Sequence, residues 1–106
     1  PIPNRLLSEG EVDANFFQHL PYLETEMDEN GYALTPFEGV HIEPLGIFSE
    51  SLTGLDEIEA GAAVGVPNDP TNRGRALALL ADEGLLALRA GGAPTEATVD
   101  DIAENP

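Results

Sequence analysis

The ten residues Val66-Pro67-Asn68-Asp69-Pro70-Thr71-Asn72-Arg73-Gly74-Arg75 hold the strongest chemical signal in this chain. Asp69 is a good helix cap, and Pro70 suits a first helical position because its missing N–H would have gone unpaired there. A helix opening at this corner presents free backbone N–H groups at the positive end of its dipole, which favours a carboxylate or a phosphate. Asn72 and Arg75 are three apart and so share a helix face, where together they could grip a small carboxylate. The same residue types are also ordinary cap chemistry, and caps are far commoner than binding sites. Spacing alone does not choose between the two.

A second cluster is Phe17, His19 and Tyr22, grouped around Pro21. Two rings and an imidazole at a helix start make an apolar wall with two polar tips, although a histidine beside phenylalanines is more often a partly buried side chain than a base. His41 sits in a run that alternates like a strand facing solvent and carries no expected role. Glu24, Glu26, Asp28 and Glu29 lack the spacing of a calcium loop and read as a solvated helix face. No serine stands in a nucleophile elbow, and the glycines and lysine of a phosphate-binding loop are missing. The residues present imply neither a metal nor a cofactor.

Charge narrows the partners. The chain has 20 acidic residues against 4 basic ones, a formal net charge of −16, and every basic residue is an arginine. Nucleic acid and anionic membrane surfaces are therefore poor partners. Arg73 and Arg75, half of the basic residues, fall on one helix start. A length of 106 residues allows one small domain with a modest core, and 42% hydrophobic residues argue against disorder. There is no cysteine, which excludes a disulfide framework and a thiolate site. No apolar run is long enough to cross a bilayer, and the first residues do not look like a signal peptide.

The elements that must position these residues follow from local punctuation. Residues 4–10 read as a short helix stopped by Gly10. Pro21 opens a helix that Asn30-Gly31 closes. Residues 32–49 carry apolar side chains in loose alternation, broken by Pro36, Gly39, Pro44 and Gly46, which predicts two or three interrupted strands. Residues 51–58 predict a short helix ended by Gly61, and residues 62–66 a buried strand. A helix from Pro70 to about Glu83 follows, with Ala76, Leu77, Leu79 and Leu80 as its apolar stripe and Gly84 as its stop. A short apolar piece at 85–89 precedes a final helix over 98–104, capped by Thr98. Alternating strands and helices favour an α/β class with a parallel core.

At this point the motifs carry a family likeness. Asp13-Ala14-Asn15-Phe16-Phe17-Gln18-His19-Leu20-Pro21-Tyr22-Leu23, then Val66 through Leu77, then Asp101-Ile102-Ala103-Glu104-Asn105-Pro106, resemble the methionine-binding lipoproteins of bacterial ABC importers. The likeness covers essentially the whole chain. It departs at Phe16 and Leu20, where a small residue and often a lysine are expected, and neither position defines the pocket.

The resemblance implies part of a type II periplasmic-binding-protein-like fold, with residues 1–43 in lobe 1, residues 44–106 the first part of lobe 2, and a crossing at about 40–48. It implies a non-enzymatic, extracytoplasmic protein, lipid-anchored in its full-length form, that delivers methionine or a related amino acid to an importer permease. Phe17, His19 and Tyr22 would line the pocket from the first lobe, and Asn72 and Arg75 would hold the ligand carboxylate from the second. The family's chain is more than twice this long, so these 106 residues look like an internal piece. That piece is expected to bind methionine weakly or not at all, and to pair its strand edges with another copy as a dimer or swapped assembly. Two rival readings stand beside this one. One is a small acidic module that docks a basic partner; the other is a small enzyme using His19 with an acidic partner.

Overall fold

Pro21 and Gly31 bracket the helix that presents the aromatic cluster. In the computed structural model, which describes residues 2–106, this helix (α2) spans Leu20–Asn30. His19 takes the extended cap position ahead of it. Gly31 closes it in the left-handed region at φ 70°, donating its N–H to the Met27 carbonyl. That conformation suits glycine because it has no Cβ to clash.

The chain divides into two compact units, Pro1–Ile42 and Glu43–Pro106. In the first, helix α1 spans Ile2–Ser8, two residues earlier than the expected start at Asn4. Asn4 is fully buried, and its amide exchanges two hydrogen bonds with Gln18, at 2.8 and 2.7 Å. Asn15 donates to the Asn4 side-chain oxygen and to the Pro3 carbonyl, at 3.2 Å each. Three amides thus pin the segment before α2 to the first helix, and Leu23 supplies the buried apolar anchor of α2.

The strands expected over residues 32–49 do not form among the described residues. The chain there is extended but has no ladder, and Phe37 and Ile42 are 89% and 93% exposed. A strand needs a partner to bond to, and alternation encodes only its readiness for one. The expected buried strand at 62–66 is corrected in the same way, since it has no ladder and Val64 is 47% exposed. The short helix expected from Ser51 shrinks to one 3-10 turn, Leu55–Glu57.

In the second unit, helix α3 spans Pro70–Asp82 with Asp69 as its cap. Ala76, Leu77 and Leu80 are buried on one stripe, with Leu77 only 2% exposed, and Leu79 lies half-buried beside them. The helix packs mainly against a 3-10 turn at Pro94–Glu96, and Gly74 makes that approach possible. A Cβ at Gly74 would collide with the Thr95 carbonyl oxygen.

The helix expected over 98–104 lasts a single turn, Val99–Asp101. Thr98 and Asp101 close a capping box: the Asp101 carboxylate accepts from the Thr98 backbone N–H and hydroxyl, both at 2.8 Å. Those donors, with the Arg89 charge nearby, hold the Asp101 carboxyl below its usual range. The chain then extends as β2, Ile102–Glu104, because it pairs antiparallel with β1, Ala87–Leu88. That pair is the sole sheet among the described residues, so the expected parallel core is not present in them.

Candidate functional site

Around Arg75 the first turn of α3 is organised by side chains that bond to one another. Asp69 Oδ2 accepts from the Asn72 backbone N–H at 2.9 Å and from the Thr71 hydroxyl at 2.9 Å. Its Oδ1 accepts from the Asn72 side-chain amide at 3.2 Å. The other end of that amide, Asn72 Oδ1, accepts from Arg75 Nη1 at 2.9 Å, and Arg75 Nη2 donates to the Glu43 carbonyl at 3.4 Å. Burial pushes the Asp69 carboxyl up, but the donors from Asn72 and Thr71 together outweigh it and leave it below its usual range.

Arg75 is half-buried and held at two corners of its guanidinium. A guanidinium has five N–H donors, so these two contacts leave others for an incoming anion. Asn72 has a second amide proton beyond the one given to Asp69. The corner therefore offers a carboxylate a fixed cation with donors to spare, while the N-terminus of the 13-residue helix is already capped by the Asp69 carboxylate. Arg73 lies on a different face, four and seven residues before Leu77 and Leu80. Its Nε is buried without a hydrogen-bond partner among the described residues, as expected for an arginine whose stem lies along an apolar stripe.

In the first unit, His19 and Tyr22 stack with ring centroids 6.3 Å apart and planes inclined by 22°. Phe17, two residues before His19, keeps 47% of its surface exposed. Pro21 fixes this turn, and the Asn4–Gln18 amide pair anchors the residue between Phe17 and His19. The three sequence-selected residues are thus brought onto one helix start, with apolar surface still open. Phe16, outside the selected set, turns to His41 at a centroid distance of 6.1 Å.

A third feature is an apolar groove of about 580 Å³ in the second unit, lined by Ile47, Phe48, Leu55, Val64 and Leu80 among others. No charged side chain lines it, and it includes neither Asn72 nor Arg75. Ser49 and Thr53 are its only polar side chains, so the groove is chiefly an uncovered apolar face. The Glu43 carbonyl lies 32 positions from Arg75, a partner that no local spacing reveals. The bond of Asp69 to the Asn72 side chain, beyond the cap, is signalled only by their separation of three.

The sequence profile of one family, described as NlpA lipoprotein, matches residues 2–106. The chain is 44% identical over 105 residues to the D-methionine-binding lipoprotein MetQ of Escherichia coli K12, covering 99% of this chain and 38% of that protein. Among solved structures it is similar to a nutrient binding protein from Burkholderia cenocepacia bound to methionine, with a TM-score of 0.90 at 43% identity, over 98% of this chain and 44% of that one. It is also similar to an ABC transporter periplasmic substrate-binding protein from Coxiella burnetii, with a TM-score of 0.89 at 41% identity, over 98% and 43% of the two chains. The chain thus spans about 38% of the length of the curated relative, and its mixed α/β fold is part of a periplasmic-binding-protein fold. These relatives are substrate-binding proteins and not enzymes, which sets aside the His19-based enzyme reading. Matched from Ile2 to the last residue, the chain belongs to the NlpA lipoprotein family.

Proposed function

We propose that this chain supplies ligand recognition to an extracytoplasmic binding protein that delivers methionine, or a closely related amino acid, to the permease of an ABC importer. The first unit is part of one lobe and the second unit the beginning of the other. Phe17, His19 and Tyr22 contribute an apolar, polar-tipped wall for the thioether side chain. Arg75, assisted by Asn72, contributes the anchor for the carboxylate. In its full-length form the protein sits at the cell envelope on a lipid anchor, in keeping with the description of its relatives as lipoproteins.

The observation that carries this reading is the Arg75 guanidinium, fixed by Asn72 at 2.9 Å at the start of α3 in a chain with only 4 basic residues. In so acidic a protein, an anionic ligand group needs a specific cation, and this one is oriented with donors to spare. The relatives supply the ligand class, since one is solved with methionine bound and another is described as binding D-methionine. A hybrid in which this chain replaces the matching segment of the Escherichia coli relative tests the proposal by titration calorimetry. Saturable binding of L- or D-methionine supports it, and absence of binding by a folded hybrid rejects it.

A further inference from the structure

Asp69 does more at the start of α3 than close a turn. Its Oδ2 is tied down by two donors, the Asn72 backbone N–H and the Thr71 hydroxyl, so the position of its Oδ1 is set as well. That second oxygen meets the Asn72 side-chain amide at 3.2 Å. An ionised carboxylate only accepts hydrogen bonds, so the amide must turn its nitrogen toward Asp69 and its oxygen toward Arg75. The reverse orientation would set oxygen against carboxylate on one side and N–H against guanidinium on the other. The neighbours therefore allow one amide orientation, and it is the one that accepts from Arg75 Nη1 at 2.9 Å.

We infer that Asp69 is a positioning residue for ligand recognition: it locks the Asn72 amide, and through it presents the Arg75 guanidinium to a carboxylate in a single orientation. This inference rests on the proposed role of Arg75 as the carboxylate anchor. It goes beyond that role by making affinity depend on a residue that touches neither the ligand nor the arginine. A chain of polarised hydrogen bonds from an anion, through an amide, to a cation strengthens each link, and it spares Arg75 the cost of being ordered by the ligand.

A cap and a positioning residue respond differently to substitution. Serine and asparagine cap helices about as well as aspartate, so a purely capping role costs Asp69→Ser and Asp69→Asn only the small stability lost when a charged cap becomes a neutral one, and leaves affinity unchanged. Positioning predicts the same small change in melting temperature for both. It also predicts methionine affinity in the hybrid reduced about tenfold for Asp69→Ser, the scale of one lost hydrogen bond. The loss is larger for Asp69→Asn, whose own amide can donate to Asn72 and turn that side chain over. In an Asn72→Ala background, Asp69→Ser should cost nothing further.

Unchanged affinity in Asp69→Ser, or an undiminished loss in the Asn72→Ala background, overturns the inference. A second measurement separates its failure from failure of the ligand reading. In the ligand-free hybrid, the Arg75 Nε–H and Asn72 side-chain amide signals in a nitrogen-15 NMR spectrum should shift in Asp69→Ser. If the hybrid ignores methionine while those signals respond, the ligand assignment falls and the positioning stands. Signals identical to those of the unsubstituted hybrid refute the positioning whatever the hybrid binds.

Discussion

The amides of Asn4 and Gln18 face each other head to tail, each donating to the other, at 2.8 and 2.7 Å, and Asn4 has no exposed surface. Truncation on one side leaves the other amide without its partner, at a cost of about 1–3 kcal/mol. Asn4→Ala and Gln18→Ala are each expected to destabilise the chain by that amount in urea unfolding. The double variant should be clearly less unstable than the sum of the two. Full additivity would show that the pair is not coupled. Asn4→Asp should be worse than Asn4→Ala, because a carboxylate cannot return the donor that Gln18 Oε1 accepts.

Gly74 offers a test in which the ordinary sign reverses. In a helix interior, Gly→Ala usually stabilises by about 1 kcal/mol. Here the added methyl meets the Thr95 carbonyl, backbone that cannot swing aside, and it must push α3 off the turn at Pro94–Glu96. Gly74→Ala is expected to destabilise by about 1–3 kcal/mol, as overpacked positions do. A more stable Gly74→Ala variant in the same unfolding experiment would show that the two elements do not approach this closely.

The capping role of Asp69 sets a pH dependence. Its carboxyl lies below its ordinary value of 3.8 in the folded chain, because the donors from Asn72 and Thr71 outweigh burial. A depressed folded value means the contribution is fully present above the ordinary value and is lost as pH falls through the folded one. Asp69→Ala should therefore be less stable than the unsubstituted chain by about 0.5–2 kcal/mol near neutral pH. The gap should narrow only below about pH 4. Thermal unfolding of both forms from pH 7 to pH 2 checks this; a gap that grows on acidification has the wrong sign.

Phe37, Ile42 and Phe48 are each about nine-tenths exposed, on chain that is extended but unpaired among the described residues. Open edges and apolar surface of this kind recruit other chains. The 106-residue chain alone should therefore self-associate and bind a hydrophobic dye. A monodisperse monomer by light scattering that leaves the dye dark would contradict the expectation.

What could be read from the sequence was what depends on neighbours along the chain. Pro21 with Gly31, Asp69 with Pro70, and Gly84 after α3 each mark a helix boundary through a local backbone requirement, and each does so in the structure. The alternation over 32–49 and the apolar run at 62–66 were equally visible, but a ladder depends on a second segment that no local pattern supplies. Thr98 caps its helix, as its type and place suggest, while pairing of Ile102–Glu104 with β1 cuts that helix to a single turn. At the candidate site, Asn72 and Arg75 declared themselves by spacing. The Glu43 carbonyl that also holds Arg75 came from 32 residues away.

Calorimetric titration of methionine into the hybrid with and without Arg75→Ala measures most directly whether Arg75 anchors a ligand carboxylate. The unsubstituted hybrid should bind. Arg75→Ala should weaken binding by about 2–5 kcal/mol, the cost of removing one partner of a desolvated charge pair, with the melting temperature of the ligand-free protein little changed. Affinity that survives Arg75→Ala intact would contradict the account.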